Sequence, residues 1–397
     1  MTIRFLTSGE SHGKCLNAII EGIGSGYFLD LDFINNELKN RQKGKGRGGR
    51  MKIETDTIEI KSGVRFQKTT GAPICIEIQN KDFENWKIPM STTEFDYNSL
   101  DEAAKAEIRE KIEEKAIKRV RPGHADLPGA IKYHHKDIRD VLERSSARET
   151  ATRVAVGAIC QDILRKFDIQ GEAKTLSIGG KTTPDEMDEI IDTARKMGES
   201  LGGEVEIRFK NLPVGLGSFV HWDRRLDGRL AGAMMSIPAV KAVEIGLGKE
   251  VCGRFGSNVH DEIFAQNPKE AEKPQYECIS HVDTPQTQVQ QGYTRHTNNA
   301  GGIEGGMTNG ENIVIKLSMK PIPTMKKPLN SINIETKKGE QAHFERADTC
   351  AVEALGTVAL NMASIILLDA FFEKFGSDNF DETMENFKNY GKYCKNF

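Results

Sequence analysis

The sequence predicts an α+β fold in which largely antiparallel sheets carry long helices on one face. Apolar and polar residues alternate in three separate segments, which is the pattern of strands with one buried and one wet face. The apolar positions are Ile74, Ile76 and Ile78, then Val205, Ile207 and Phe209, then Ile313, Ile315 and Leu317. A further strand is predicted at residues 3–8, at the start of the chain.

Four long helices are predicted from apolar residues at helical spacing. They cover residues 146–167, 185–197, 223–235 and 349–372, and a highly charged fifth helix around 101–118 is expected on the outside. The most apolar stretch, 350–372, contains Glu353, Asn361 and Asp369, so a buried core helix explains it better than a membrane span. The N-terminus has no apolar segment of the secretory type.

An internal echo suggests two related halves. Gly63, Thr69 and Ile74 match Gly302, Thr308 and Ile313 at identical spacing. Each copy is followed later by Glu-Arg, a small residue, a capping residue and a long helix, which places Arg144 and Arg346 at equivalent helix starts. Chance is the alternative for so short a match. If the echo is real, the halves pack as one unit, and residues 1–397 form a single domain.

Composition narrows the class of function. The net charge of −3 gives no general reason to expect nucleic acid or a membrane as partner. The seven cysteines are scattered and never form a CxxC pair, which favours free thiols in a reducing cytoplasm and argues against a metal site.

Two glycine-containing motifs near the N-terminus are rejected, one as the signature of a hydrolase and the other as that of a dinucleotide-binding site. Residues 9–13, GESHG, match the GxSxG elbow of hydrolases, but that elbow follows several earlier strands and here only eight residues precede it. Residues 22–26 resemble half a dinucleotide fingerprint, but an extended segment follows them instead of a helix.

A basic, glycine-rich loop at residues 39–52 carries seven cations and no acid. Glycines let the backbone approach a ligand and let the loop move. A compact polyanionic metabolite is the favoured counterpart. An RNA-binding segment of the RGG type is the alternative, although the loop lacks interleaved aromatic residues.

Further anion-binding candidates lie around a Pro-Gly turn and at a helix start. The turn holds Arg121 and His124, while Ser146 is predicted to cap the next helix in a capping box with Glu149. A helix start has unpaired N–H groups that suit a phosphate or carboxylate. The simpler interpretations are a capped helix with surface arginines and, for the glycine-rich segment 301–306, a tight hairpin.

Taken together, these motifs resemble the chorismate synthase family over nearly the whole chain. The resemblance rests on SGESHG, RQKGKGRGGRM, TTGAP, RPGHADL, RSSARET, PVGLGSFVHWDR, TRHTNNAGGIEGGMTNG and MKPIPT, in this order. It implies a β-α-β sandwich, a homotetramer, and conversion of 5-enolpyruvylshikimate 3-phosphate to chorismate by 1,4-elimination of phosphate. It also implies reduced FMN (FMNH2) as cofactor. Since the only candidate dinucleotide fingerprint was rejected, an external flavin reductase is expected to supply the reduced FMN.

The resemblance also implies roles for individual residues. His12 acts on the reduced flavin, His124 donates a proton to the leaving phosphate, and Asp348 sits near flavin N5. The expected substrate ligands are Ser11, Arg41, Arg47, Arg121 and Arg148. The expected flavin-site residues are Arg144, Ser145, Ser146, Gly305, Lys320, Pro321, Ile322, Pro323, Thr324 and Arg346.

The residue types in these roles are the ones that the implied substrate and reaction require. A substrate with one phosphate and two carboxylates needs several arginines, and imidazole is the side chain suited to donate a proton near neutral pH. A carbon-bound proton of low acidity needs an electron-rich acceptor that side chains do not supply, hence a cofactor. The alternatives are that both histidines are satisfied turn residues and that Asp348 only caps a helix.

Overall fold

Helices and strands are mixed along the chain in the computed structural model, which describes residues 3–48, 55–265, 293–345 and 347–397. The helices are α1 Leu31–Gln42, α2 Glu102–Lys115, α3 Asp126–Tyr133, α4 Arg139–Ser145, α5 Thr150–Arg165, α6 Pro184–Met197, α7 Leu226–Met235, α8 Val352–Phe375 and α9 Phe380–Asn396. Short 3-10 turns occur at Lys81–Trp86, Ala147–Glu149, Trp222–Arg224, Gly248–Gly253 and Gly256–Asn258.

The strands form two four-stranded antiparallel sheets and several small ribbons. The strands are β1 Arg4–Ser8, β2 Cys15–Glu21, β3 Ser25–Phe28, β4 Glu59–Ser62, β5 Val64–Arg65, β6 Lys68–Thr70, β7 Ile74–Gln79, β8 Gln170–Ile178, β9 Gly203–Lys210, β10 Val240–Ile245, β11 Ile263–Ala265, β12 Tyr293–Arg295, β13 Ile303–Glu304, β14 Met307–Thr308, β15 Ile313–Met319, β16 Asn330–Ile332 and β17 Gly339–Gln341. One sheet has the order β1-β2-β7-β4 and the other β10-β15-β9-β8. The antiparallel prediction is confirmed, and the alternating residues of β7, β9 and β15 face the core.

Two long helices pack between the two four-stranded sheets. Helix α5 packs on β2 of the first sheet, α8 packs on β8 and β9 of the second, and α5 and α8 pack against one another. Gly157 allows this close approach, because a Cβ there would lie 2.3 Å from the carbonyl oxygen of Asn361. Helix α8 is long and apolar enough to cross a membrane by composition alone, but most of it is buried, as predicted for a core helix.

Both segments of the internal echo form the same local structure. Each contains a two-residue hairpin, β5–β6 and β13–β14, whose registers pair Val64 with Thr69 and Ile303 with Thr308. Gly63 and Gly302 precede these hairpins with φ of 80° and 79°, which only glycine adopts without strain. Both threonine hydroxyls accept a hydrogen bond from a distant backbone N–H, at 3.0 Å and 2.8 Å respectively.

Candidate active site

The GESHG segment is a loop between β1 and β2, not a strand-to-helix elbow, which agrees with rejecting the hydrolase interpretation. Glu143, in the last turn of α4, fixes this loop. Its carbonyl accepts from the Ser11 N–H at 3.0 Å, and its carboxylate binds the backbone N–H of His12 at 2.7 Å and His12 Nδ1 at 2.8 Å. Burial raises the pKa of Glu143, but the bonds from His12 and the charge of Arg139 outweigh burial and leave the pKa below its ordinary value.

Ser146 links the loop to the start of α5, but the predicted capping box is wrong. Its hydroxyl bonds to Ser11 Oγ at 3.1 Å and accepts from the Arg148 N–H at 3.3 Å. The Glu149 carboxylate instead accepts from Arg153 Nε at 3.0 Å. Ser146 is an N-cap as predicted, but of the 3-10 turn Ala147–Glu149, and the α-helix begins only at Thr150.

A buried carboxylate, Asp56, lies between two of the predicted substrate arginines. Both of its oxygens are 2.7 Å from Arg148 Nη1, and one is 2.9 Å from Arg41 Nη2. Arg148 also donates to Asn80 Oδ1 from Nε and Nη2, at 3.0 Å and 2.9 Å. Arg41 and Arg148 are therefore buried and ion-paired within the protein, not exposed as free ligands.

Positive charge is nevertheless in excess at Arg41. Burial, and then the charges of Arg148 and Arg47, lower the pKa of Arg41 to about 10, against the opposing effect of Asp56. Arg41 Nε is buried and has no hydrogen-bond partner within the described residues. A buried donor without an acceptor is uncommon in a folded protein, and it fits a site that receives an anion.

The Pro-Gly turn forms a second cluster around Asp126. Arg121 donates to this carboxylate from its backbone N–H and from Nε and Nη2, at 2.8–2.9 Å, and His124 Nδ1 lies 2.6 Å away. Burial raises the pKa of Asp126, but its bonds to Arg121 and His124 hold that pKa well below the ordinary value. Arg121 Nη2 also lies 3.0 Å from the same Nδ1, so the carboxylate and the guanidinium together fix the position of the imidazole.

The MKPIPT segment lies directly against this turn. Lys320 Nζ donates to the carbonyl of Gly123, and Thr324 Oγ1 accepts from Arg121 Nη1 at 3.1 Å. The Lys320 N–H bonds to the carbonyl of Ala239, whose φ of 73° is unusual for a residue with a side chain. The structure thus brings two predicted flavin-site residues, Lys320 and Thr324, against the Pro-Gly turn that carries His124.

The basic loop docks onto Asp348. The Asp348 carboxylate accepts from the Gly48 N–H at 2.6 Å and pairs with Arg47 Nη1 at 2.9 Å, while the Thr349 N–H donates to the Gly46 carbonyl at 2.7 Å. Ala351 is the N-cap of α8 and no side chain caps it, so Asp348 is not merely a helix cap. Two elements that the sequence presents separately, the loop and Asp348, are in direct contact.

A cavity of about 290 Å³ opens where these parts meet. It is lined by Gly46, Arg47, Gly48, Arg195, Gly198, Glu199, Thr324, Met325, Lys326, Phe344, Ala347, Asp348 and Thr349. The three cations, the two hydroxyls and the backbone at three glycines suit a ligand that joins an anionic group to a flat polar ring, and Glu199 and Asp348 add two carboxylates. The donor set therefore fits FMN.

Some predicted residues lie apart from this cavity. Arg144 donates to Thr7 and to the Gly9 carbonyl, Ser145 donates to Val141, and Gly305 lies in the β13–β14 hairpin, which packs on the start of α7. Pro321, Ile322 and Pro323 connect Lys320 to Thr324, and the Ile322 carbonyl accepts from Ser200 Oγ at 2.6 Å. Arg346 lies outside the described residues, as does the part of the basic loop from 49 to 52.

Sequence reasoning missed the carboxylates and the amide that hold the site together. Asp126 lies within the quoted RPGHADL motif and Glu143 lies next to the predicted Arg144, so both were within reach. Asp56 and Asn80 carried no signal, because their partner Arg148 is 92 and 68 positions away. Among the described residues, no group of three or more His, Cys, Asp or Glu side chains is placed to hold a metal ion, and the six described cysteines are free thiols.

Comparison with known proteins identifies the family. The family model described as chorismate synthase matches residues 3–372. Chorismate synthases of Thermoanaerobacter pseudethanolicus and Aquifex aeolicus are each 46% identical to this chain, covering all of it and 100% and 99% of their own lengths. A solved structure entitled "Crystal Structure of Chorismate Synthase" aligns with a TM-score of 0.73 and 37% identity over 100% of this chain and 99% of that chain. The chain therefore belongs to the chorismate synthase family, the carbon–oxygen lyases that eliminate phosphate from 5-enolpyruvylshikimate 3-phosphate.

Proposed function

We propose that the protein makes chorismate in the described site by 1,4-elimination of phosphate from 5-enolpyruvylshikimate 3-phosphate, with reduced FMN as cofactor. The excess of guanidinium groups around Asp56 and Asp348 is the observation that carries the proposal. The charges of Arg148 and Arg47 help to lower the pKa of Arg41, and the three guanidinium groups together pair with two carboxylates, Asp56 and Asp348. A trianionic substrate supplies the missing negative charge.

Substrate binding is assigned to Ser11, Arg41, Arg47, Arg121 and Arg148. Guanidinium groups have five donors each, so an arginine that is paired with an internal carboxylate can still donate to a ligand. Asp56 and Asp126 hold three of these arginines in fixed positions before the ligand arrives. Such preorganisation lowers the ordering cost of binding.

Proton donation to the leaving phosphate is assigned to His124. Its Nδ1 lies 2.6 Å from the Asp126 carboxylate, which orients the ring. Arg121 lies on the same carboxylate, so the phosphate meets a cation and a proton donor together. Protonation makes phosphate a better leaving group.

Reduced FMN is assigned to the cavity between the basic loop and the MKPIPT segment. When bound, the reduced flavin supplies the electron-rich partner that takes the ring proton of low acidity. His12 and Asp348 are the assigned proton-handling side chains on the protein. The assigned flavin-site residues are Arg144, Ser145, Ser146, Gly305, Lys320 to Thr324 and Arg346. Of those that the structure describes, Thr324 lines this cavity.

Fold and assembly complete the proposal. The packing of α5 and α8 between the two four-stranded sheets supports a β-α-β sandwich, and the matching hairpins at Gly63 and Gly302 support two related halves in one domain. A homotetramer accounts for Gly305 and Arg144 if a second subunit completes the flavin site. The protein is cytoplasmic and receives reduced FMN from a separate reductase, with no nucleic-acid or membrane partner.

An anaerobic phosphate-release assay tests the proposal. With FMN, dithionite and 5-enolpyruvylshikimate 3-phosphate under nitrogen, the protein should release inorganic phosphate and form chorismate in equal amounts. A non-catalytic polyanion- or RNA-binding protein, the alternative suggested by the basic loop, would release none. Omitting dithionite is the internal control, because activity should then be lost.

A further inference from the structure

Trp86 lies beside the proposed active site although no motif pointed to it. It ends the 3-10 turn Lys81–Trp86, which begins directly after Asn80. The Asn80 amide donates to the carbonyls of Glu10 and Gly13, at 3.2 Å and 2.7 Å, on either side of His12. The indole N–H of Trp86 donates to Asp82 at 3.2 Å. Asn80, the residue before the turn, thus ties it to the GESHG loop, and Asp82 within the turn holds Trp86.

The indole ring stacks on His12. The two ring centroids are 3.9 Å apart and the ring planes differ by 25°. Arg139 Cζ lies 5.0 Å and Lys115 Nζ 5.4 Å from the centre of the same indole. Arg139 also pairs with Glu143 at 3.2 Å, and Glu143 binds His12 Nδ1, so ring, cation and carboxylate form one closed set of contacts.

The two contacts of the imidazole constrain different motions. The bond between His12 Nδ1 and Glu143 fixes a distance and a tautomer, but the ring can still turn about that bond. A flat indole surface at stacking distance removes this rotation.

We propose that Trp86 is a positioning residue that fixes the plane of the His12 imidazole. Glu143 fixes the direction of the ring by its hydrogen bond to Nδ1. The inference rests on the proposed function, in which His12 acts at the flavin. Catalytic groups must be held within a fraction of an ångström and about 10–20° of the productive geometry, and stacking supplies the angular part of that requirement. Loss of Trp86 should therefore reduce turnover and leave substrate affinity nearly intact.

Fluorescence tests the stacking without any assay of activity. The chain has two tryptophans, and the other, Trp222, is exposed, so a Trp222→Phe protein reports on Trp86 alone. Contact with the stacked imidazole changes the emission of the indole. Replacing His12 with Asn in the Trp222→Phe background should therefore change the intensity or the emission maximum of Trp86.

Identical emission spectra for Trp222→Phe and for the same protein with His12→Asn would overturn the inference, because His12 would then not lie against the indole. This result is independent of whether the protein releases phosphate.

Turnover supplies the second test. Trp86→Phe keeps a flat aromatic ring and should retain kcat within about threefold, whereas Trp86→Leu should lower kcat about tenfold or more with KM within about twofold. Trp222→Leu is the matched control and should match the wild type. Equal kcat values for Trp86→Phe and Trp86→Leu, or a loss confined to KM, would overturn the positioning role. A wild-type protein without phosphate release would instead contradict the proposed function itself.

Discussion

Arg148 Nη1 lies 2.7 Å from both carboxylate oxygens of Asp56, joining two fully buried residues that are 92 positions apart in the chain. The same carboxylate holds Arg41. Burial raises the pKa of Asp56, but the charges of Arg148 and Arg41 outweigh burial and lower that pKa below its ordinary value. Asp56 is therefore the counterion on which two of the proposed substrate arginines depend.

Replacing Asp56 with Asn should destabilise the protein strongly. Two buried guanidinium groups would lose their counterion, and breaking a buried pair in this way typically costs about 3–5 kcal/mol. The free energy of unfolding, measured by urea denaturation, should fall by an amount in this range. Glu59→Gln is the control, because Glu59 pairs with Lys61 on the surface and should change stability by about 1 kcal/mol or less. Equal effects of the two substitutions would show that the two buried arginines do not depend on Asp56 as their counterion.

The elements of the fold were predictable to the extent that they follow local periodicity. The strands around Ile76, Ile207 and Ile315 and the helices α5 to α8 follow from spacing, because burial of one face imposes it. The helices α1, α3, α4 and α9 were not predicted. The start of α5 was misplaced because Glu149 pairs with Arg153 within the helix instead of reaching back to Ser146. Local sequence does not distinguish these two uses of a glutamate.

Only the arginines, histidines and glycines of the site could be predicted from the sequence. Arginines, histidines and glycines stand out in short motifs, whereas the acids that position them act through tertiary contacts. Asp56 and Trp86 show the difference, since each lies in an unremarkable stretch and meets its partner only in the fold. A search for the counterion of each predicted buried arginine would have asked for Asp56 but could not have chosen it among the 58 acidic residues.

Replacing His124 with Ala should lower turnover by about a hundredfold or more while FMN still binds. The reason is the loss of the proposed proton donor to phosphate, which Asp126 orients at 2.6 Å. Single-turnover phosphate release and flavin titration would separate chemistry from binding. Unchanged turnover in His124→Ala would remove its assigned role.

Replacing His12 with Ala should act at the flavin instead and change the spectrum of the bound reduced form. An unaltered spectrum in His12→Ala would leave His12 structural.

The basic loop should be protected from trypsin when substrate and flavin are both bound. Lys43, Lys45 and Arg47 are potential cleavage sites on its described part, and ligand contacts should close the loop further. In the ligand-free protein, Asp348→Asn should speed cleavage several-fold, because Asp348 carries the ion pair to Arg47 and accepts from the Gly48 N–H.

Asp185→Asn, on the exposed first turn of α6, is the control for this proteolysis and should leave the cleavage rate unchanged. Equal cleavage with and without ligands would argue against a closing loop.

Replacing Arg346 with Ala should weaken the binding of reduced FMN at least tenfold and that of oxidised FMN less. A guanidinium contact to a charged group contributes about 1.5–3 kcal/mol, and the reduced flavin carries more negative charge. Arg144→Ala is the matched variant from the other half of the internal echo. Anaerobic titration measures both redox states, and equal losses for the two would reject the difference.

Glu345 should make the protein sensitive to acid within a defined pH window. Burial raises its pKa, but His343, whose Nε2 lies 3.6 Å away, and Arg139, at 2.8 Å, outweigh burial and bring the pKa to about 2. A carboxyl group with a lowered pKa in the folded state stabilises it fully above the unfolded pKa of about 4.5, and this stabilisation is lost as the pH falls toward 2.

In urea titrations at successive pH values, Glu345→Gln should therefore be less stable than the wild type by about 1–3 kcal/mol at pH 6. The difference should shrink as the pH falls from 4.5 toward 2, because the wild-type carboxyl then becomes neutral as well. Glu382→Gln, at an exposed position in the first turn of α9, is the control and should follow the wild-type curve. A constant difference between Glu345→Gln and the wild type across this window would mean that the charge of Glu345 contributes nothing to stability, and that only its packing does.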